Sequence, residues 1–392
     1  MKLMSLFDGS GGFPLAASLC GIEPVYAAEV EPYPIAVTNN RFPKMKHLGD
    51  VSKVKGGEIE PVDIITFGSP CQDMSIAGKR AGLKHADIGD EETTRSGLFL
   101  EAIRIIKEMR EATNGGYPRY AVWENVPGAF SSNKGEDFRT VLDEFIKIVE
   151  KDAVMPDVPK AGWPYADCYS GNGWSLAYRV FDAQYWGVPQ RRRRIYLVAD
   201  FRGQRAGEIL LKPEGLRRIS AQSGTQGQET ARCAKNSVGT AIGGVDRYNQ
   251  SFLPGLAQTL RAPGGGDCTP TVLAPVGKEK TVAVPVHYIV RRLTPTECAR
   301  LQGFPDLWGY LDKKESFTDE EYKFWLEVRN TYARINNKAV KDYTKAQMLS
   351  WYNKLHSDSA EYKMWGNGIA LPNALYVMQG IAAEAEIPIN LF

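Results

Sequence analysis

The sequence predicts an α/β fold built on a largely parallel sheet, and three observations carry that prediction. Residues 1 to 200 alternate short apolar runs with stretches of helical spacing, the pattern of strands that need covering helices. The apolar runs end in turn chemistry, most clearly at Ile64-Ile65-Thr66-Phe67-Gly68-Ser69-Pro70. A length of 392 residues also exceeds one small core, so two domains, or one large domain with insertions, are expected.

The elements follow in order. Leu3 to Phe7 reads as a strand that breaks into Asp8-Gly9-Ser10-Gly11-Gly12. Pro14 suits a first helical position, and Leu15, Ala16 and Leu19 give that helix an inner side. Val25 to Ala28 is a second strand, ending at Glu29 and Glu31, and Pro34 to Arg41 is the next helix. Asp50-Val51 follows a further turn. Ile64 to Phe67 is a buried strand. Pro70 fixes its own φ and cannot extend a ladder, so the chain leaves the sheet there. Cys71 is thereby expected at the carboxyl end of a strand, where open α/β sheets hold their ligands. Taken alone, it reads as an ordinary buried thiol. Gly97 to Glu111 has an amphipathic period through Leu98, Ala102, Ile105 and Met109. Tyr120 to Trp123 is a strand that delivers Glu124-Asn125-Val126-Pro127 to the same rim. Phe138 to Val149 is a helix and Arg194 to Ala199 a strand. The long polar loop between Cys71 and Gly97 fits a lid, because it starts at the cysteine.

Beyond residue 200 the character changes. Residues 201 to 290 are rich in Gly, Gln, Ser and Thr, and predict a small, irregular, mostly β unit. They hold 11 Lys/Arg against 6 Asp/Glu, a net +5 inside a chain whose total is +2. Such a basic segment hints at a polyanionic partner, with a solvated loop-rich surface standing equal on charge alone. Residues 312 to 356 predict a helical hairpin. Thr318-Asp319-Glu320-Glu321 and Thr344-Lys345-Ala346-Gln347 both fit the capping box, and the aromatic residues that follow read as packing.

Composition excludes several classes. No run is long enough to cross a bilayer, and the first residues lack the apolar core of a secretory leader. The six cysteines are scattered without a C-x-x-C pair, and there are four histidines, so no metal site is expected. Reduced thiols and a cytoplasmic location follow as expectations.

Three features carry chemistry. Gly9, Gly11 and Gly12 open a helix where backbone N–H groups can approach a ligand, and Glu29 ends the next strand, where an acid accepts ribose hydroxyls. Asp8 inside that turn argues against a pyrophosphate and favours a zwitterionic nucleoside without phosphate, such as S-adenosylmethionine. Phe7 is placed to stack on its adenine, or to fill the core, and Asp50 to accept its amino hydrogens. The second feature is Cys71 with Glu124, both at strand ends. A free thiol is only about 3% ionised at neutral pH, so a nucleophilic cysteine needs supporting neighbours. The third feature can supply them. In Gln190-Arg191-Arg192-Arg193-Arg194 alternation puts Gln190, Arg192 and Arg194 on one face. An inward arginine needs a partner, and Glu124 or a substrate phosphate would serve. Arg191 and Arg193 read better as a basic surface patch.

With Arg300-Leu301-Gln302-Gly303-Phe304-Pro305 and Gly366-Asn367-Gly368-Ile369-Ala370-Leu371-Pro372 added, these stretches, in this order, resemble the DNA (cytosine-5)-methyltransferase family of bacteria and their phages. The resemblance departs at two points: Ser5 stands where the family usually has an acid, and Asp8 replaces a small residue. It implies a Rossmann-like, S-adenosylmethionine-dependent catalytic domain over 1–200, completed by 357–392. A target-recognition domain would fill 201–311 and a helical insertion 312–356. It further implies that a cytosine is rotated out of duplex DNA, that Cys71 adds to its C6, and that C5 then takes the methyl group. Glu124 would grip the N3/N4 edge, and Arg192 would orient Glu124 while lowering its pKa, keeping it ionised until substrate arrives. Arg194 would hold phosphate or assist Cys71, and Asn367 would sit behind the cysteine and cofactor. Gln72, Ser75, Asn125 and Gln190 would meet the substrate. Gln258-Thr259-Leu260-Arg261 is the expected groove reader, since Gln and Arg can read base edges. A monomer acting beside a possible cognate restriction endonuclease completes the expectation.

Rival readings are an RNA cytosine methyltransferase, a nicotinamide-dependent oxidoreductase and a non-catalytic DNA-binding relative. The oxidoreductase leaves Cys71, Glu124 and the arginine strand without a role, and the intact Pro70-Cys71-Gln72 argues against loss of catalysis.

Overall fold

The computed structural model describes residues 1–69, 97–155, 157–211 and 291–383, and the backbone of four strands between 243 and 292. Cys71, Gln72, Ser75, the expected lid, Gln258 and Arg261 lie outside the described residues.

An eight-stranded sheet forms the frame. Its strands are β1 (Lys2–Leu6), β2 (Glu23–Ala28), β3 (Lys46–His47), β4 (Ile64–Phe67), β5 (Tyr120–Asn125), β6 (Ala166–Gly171), β7 (Trp174–Asp182) and β8 (Arg193–Asp200). The order across the sheet is β3-β2-β1-β4-β5-β8-β7-β6. The pairs from β3 through β5 are parallel, and β8, β7 and β6 close the far edge antiparallel. From β1 the chain builds outward first to β2 and β3, then in the other direction to β4 and β5. The order therefore reverses between β1 and β4: the helix that follows β1 covers one face of the sheet and the helix that follows β4 the other, which leaves a crevice for a ligand at the carboxyl ends of these two strands.

Helices cover both faces, as two-sided burial of parallel strands requires. Leu3, Ile64, Val122 and Val198 face one core with Phe13, Ala16 and Ala17 of α1 (Gly12–Leu19) and Ile35 and Val37 of α2 (Pro32–Arg41). Met4, Leu6, Ile65, Phe67, Trp123 and Leu197 face the other, beneath α3 (Gly97–Ala112) and α4 (Glu136–Ile146). Phe99 of α3 and Phe145 of α4 both pack on Phe67 there.

Three features differ from the sequence reading. The β6–β7 hairpin was not foreseen, because β6 is a polar edge strand without an apolar side. The first residues of the basic segment and the stretch that follows it also join the first core. Ile209 and Leu210 of α5 (Ala206–Leu211) do so, as do Leu293, Phe304, Trp308 and the buried side of α6 (Pro295–Leu301). The packing thus draws 201–211 and 293–311 to the main body. Finally, α9 (Asp358–Asn367) and α10 (Leu371–Ala382) complete the same layer, after α7 (Asp319–Ile335) and α8 (Lys345–Tyr352). Both capping boxes form, Thr318 with Glu321 and Thr344 with Gln347, and Trp325 of α7 is 1% exposed, as packing demands.

Between the described parts, β9 (Gly243–Asp246), β10 (Ser251–Pro254), β11 (Thr271–Val276) and β12 (His287–Arg292) form an antiparallel sheet in the order β10-β9-β11-β12. This matches the mostly β character expected of the segment. No helix among the described residues is long and apolar enough to cross a membrane.

Candidate active site

The turn after β1 is shaped by unusual backbone. Phe7, Gly9 and Gly11 all have positive φ, of 55°, 54° and 75°. Glycine adopts this freely, but phenylalanine does not, so Phe7 is held there by its surroundings. The turn lets α1 start at Gly12 with no side-chain cap, which leaves its first N–H groups facing the crevice.

Two acids flank the turn. Glu29 is saturated with donors: its Oε2 accepts from Gly9 N at 2.8 Å, and its Oε1 from Val30 N at 2.7 Å and Glu31 N at 2.9 Å. Burial raises its pKa in spite of them. Asp8 is 7% exposed, and neither of its oxygens has a hydrogen-bond partner among the described residues. Burial pushes its pKa up to about 8, with the nearby Ser5 hydroxyl opposing the shift and the charge of Glu29 adding to it. Asp50 lies beyond β3, where its Oδ1 accepts from Ser52 N at 2.9 Å and caps a single helical turn.

The two motifs without evident chemistry prove to be the wall behind this turn. Trp308 Nε1 donates to Ser10 O at 2.8 Å, and Arg41 Nε holds Trp308 O at 3.0 Å. A methyl group on Gly12 would lie 2.5 Å from Ile369 and 3.3 Å from Phe304. One on Gly368 would lie 2.8 Å from Ser10 Oγ and 3.1 Å from Gln302 Oε1. Gln302, fully buried, donates to Trp365 O and accepts from Leu371 N at 2.9 Å through its own carbonyl. The Arg300–Pro305 and Gly366–Pro372 stretches thus clasp each other and the Gly-rich turn. Ser10, Gln302, Trp308 and Gly368 were missed as site residues. Asn367, expected behind the cysteine, ends α9 with its side chain exposed.

The second half of the site is the end of β5. Glu124 is 8% exposed, and Arg194 Nε lies 3.0 Å from its Oε1. Gln190 and Arg192 are buried at 0% and 1% and Arg191 is exposed, as alternation predicts, whereas Arg193 and Arg194, at the start of β8, are both half-buried. The division of labour differs from expectation, however. Arg194 makes the direct ion pair, while Arg192 Nη2 donates to Gly366 O at 3.3 Å and to Gly368 O. Arg192 therefore ties the arginine strand to the Gly366–Pro372 turn. Burial, and then the neighbouring Arg194, pull its pKa down to about 9, which still leaves it charged at neutral pH.

The expected depression of the Glu124 pKa is corrected by the structure. Both arginines do lower it, but burial outweighs them and the net shift is upward. Burial thus makes the carboxyl group a better proton holder than an exposed glutamate.

β5 also fastens the approach to Cys71. Asn125 Nδ2 donates to Ser69 O at 3.1 Å, and its Oδ1 accepts from Val126 N at 2.8 Å. Trp123 Nε1 donates to Ser69 Oγ at 3.2 Å. A side chain on Gly68 would meet Glu124 Oε2 at 3.1 Å, so glycine there makes room for the carboxyl group. Ser69 stands two residues before Cys71, and side chains of β5 hold it from two directions. Among the described residues no cluster of His, Cys, Asp and Glu could hold a metal ion.

Comparison with known proteins agrees with this arrangement. The sequence profile of the C-5 cytosine-specific DNA methylase family matches residues 1–149 and 216–324. Among curated relatives, the Type II methyltransferase M.HhaI of Haemophilus parahaemolyticus is 28% identical over 343 residues, 82% of this chain and 88% of that protein. A protein of Escherichia phage P1 named DNA N-6-adenine-methyltransferase is 27% identical over 469 residues, 94% of this chain but 59% of its own length. Among solved structures, the Dnmt2 methyltransferase of S. pombe shares the fold with a TM-score of 0.54 at 15% identity, over 98% of this chain and 99% of that one.

Proposed function

Because the chain belongs to the C-5 cytosine-specific DNA methylase family, we propose that it transfers a methyl group from S-adenosylmethionine to C5 of a cytosine rotated out of duplex DNA. The observation that carries this reading is Glu124, a buried carboxyl group with a raised pKa, ion-paired to Arg194 one strand away from the segment that leads into Cys71.

The residues present fit S-adenosylmethionine. Glu29, rigidly held by three N–H donors, is suited to the ribose hydroxyls. Phe7 and Asp50 suit the adenine, and the N–H groups at the uncapped start of α1, at Gly12 and Phe13, suit the amino-acid carboxylate, those of Gly9 and Gly11 being taken by Glu29 Oε2 and Asp8 O. Asp8 offers two unpartnered oxygens to a cation. When bound, the cofactor supplies an electrophilic methyl group. The protein's task is to make C5 nucleophilic. Cys71 forms a bond to C6, which moves the ring's electron pair toward C5. Glu124 donates its proton to N3 and accepts a hydrogen bond from the N4 amine, so negative charge does not build on the ring. Arg194 fixes the carboxyl group, and Arg192 the turn behind it. Asn125 and Trp123 set the Ser69 anchor from which Cys71 must reach. Gln72, Ser75 and Gln190 contact the everted nucleotide, and Asn367 lines the gap between cofactor and base. Once C5 carries the methyl group, its proton leaves to solvent, the electron pair expels Cys71 as thiolate, and N3 returns its proton to Glu124, which restores the ring.

The remaining assignments follow. The catalytic body comprises 1–200 with 357–392, together with the stretches 201–211 and 293–311 packed on it, and 212–290, basic and β-rich, reads the target through Gln258 and Arg261. The +5 charge of 201–290 supports a polyanionic partner in duplex form. We further propose a monomeric, cytoplasmic enzyme that acts beside a cognate restriction endonuclease. The adenine activity in the phage P1 relative's name does not transfer readily, because this chain spans only 59% of that protein.

The test is transfer of labelled methyl from S-adenosylmethionine to genomic DNA devoid of 5-methylcytosine, followed by nucleoside analysis. Label is expected in 5-methylcytosine, lost with Cys71→Ala, and DNA carrying 5-fluorocytosine should become covalently attached to Cys71. Label in N6-methyladenine, or transfer undiminished in Cys71→Ala, refutes the reading.

A further inference from the structure

The family resemblance has a small residue where this chain has Asp8, and an acid where it has Ser5. The structure shows what the exchange produces. Asp8 is 93% shielded at the mouth of α1, and both carboxyl oxygens lack partners among the described residues. Little around it holds a carboxylate. From β1 comes the Ser5 hydroxyl, which favours the ionised form, and from the end of β2 the acid Glu29, which opposes it. Glu31 at the start of α2 and Lys363 of α9 neutralise each other at 2.7 Å. Among the described residues no cation lies against Asp8 itself. A buried, unpartnered acid beside a second acid holds its proton, in line with its pKa of about 8.

We propose that Asp8 is the counter-ion for a positive group of the methyl donor, neutral in the free protein and ionised only when that cation binds. This rests on the reading of the turn as the S-adenosylmethionine site. The step balances simply: the carboxylic acid loses its proton to solvent and the resulting carboxylate pairs with the ligand's ammonium or sulfonium. Binding energy from the cation is therefore spent in part on removing that proton. Affinity must rise with pH, by up to about tenfold per pH unit, until the free carboxyl group itself titrates.

The experiment is titration calorimetry of the full chain with S-adenosylmethionine and with S-adenosylhomocysteine, near pH 7, in two buffers of different ionisation enthalpy. Wild type should release close to one proton on binding, and Asp8→Asn none, with a dissociation constant nearly flat in pH. Release with both ligands assigns the ammonium as partner, since the thioether product keeps only that charge. Release with S-adenosylmethionine alone assigns the sulfonium. Binding without proton release in wild type overturns the inference and leaves the cofactor reading standing. So does release that persists in Asp8→Asn, which would point to Glu29 instead. Failure of either ligand to bind wild type removes both.

Discussion

Gly368 offers the sharpest test of how the site is held. Its φ is −68° and ψ 170°, values that any residue adopts, so replacing it by alanine changes sterics and nothing else in the backbone. The new methyl carbon would stand 2.8 Å from Ser10 Oγ, 3.1 Å from Gln302 Oε1 and 3.2 Å from Met364 O. The first distance is well inside contact, and Ser10 is 1% exposed with little room to retreat. Overpacking of this kind costs about 1–3 kcal/mol. The strain falls on the turn that opens α1, so cofactor affinity should drop with stability, by up to about tenfold for each 1.4 kcal/mol that reaches the bound state. Urea unfolding and cofactor titration of Gly368→Ala measure the two effects. Ser10→Ala supplies the control. It removes the nearest atom, and because Ser10 Oγ has no hydrogen-bond partner among the described residues its loss alone should be near neutral. The double variant should recover about 1 kcal/mol relative to additivity, incompletely because Gln302 and Met364 still crowd the methyl group. A Gly368→Ala protein that unfolds and binds cofactor like wild type, or strictly additive behaviour in the double variant, would refute the claim that this contact sets the turn.

Two further outcomes are expected. Glu124→Gln keeps the shape of the side chain but cannot supply a proton to N3, so single-turnover methyl transfer should fall by about 10²–10⁴ while DNA affinity, read by gel shift, stays within a few-fold. Arg192→Lys keeps the charge but loses the planar donor that reaches both Gly366 O and Gly368 O, and urea unfolding should show a loss of about 1–3 kcal/mol.

Much of the sheet was legible because its signals are local. Ile64 to Phe67 declares a strand by composition and its end by Pro70, and Thr318 and Thr344 declare helix starts that the structure reproduces. The hairpin of β6 and β7 left no such mark. Its outer strand, Ala-Asp-Cys-Tyr-Ser-Gly, is half in solvent and takes its pairing from β7 rather than from any apolar pattern. Gln302, Gly303 and Gly368 were illegible for another reason. Gly303 is close-packed against Pro372, across some seventy residues of chain, and only the folded chain shows that a side chain there has nowhere to go.

The acid at the heart of the site shows most clearly what a sequence withholds. Reading along the chain, one counts charges: two arginines near one carboxylate, hence a depressed pKa. Counting charges omits the water they replace. Glu124 is shut between β4 and β8, and the cost of keeping a carboxylate there exceeds what Arg194 at 3.0 Å and Arg192 behind it return. The same burial draws down the pKa of Arg192, although the charges of Arg192 and Glu124 each favour the other's ionised form. That balance suits the proposed chemistry. A carboxyl group pinned by one arginine yet still able to hold its proton can hand it to N3 as Cys71 attacks, whereas a fully stabilised carboxylate would offer the ring only an acceptor. The arginines are then best understood as fixing where the acid points, and burial as fixing what it carries.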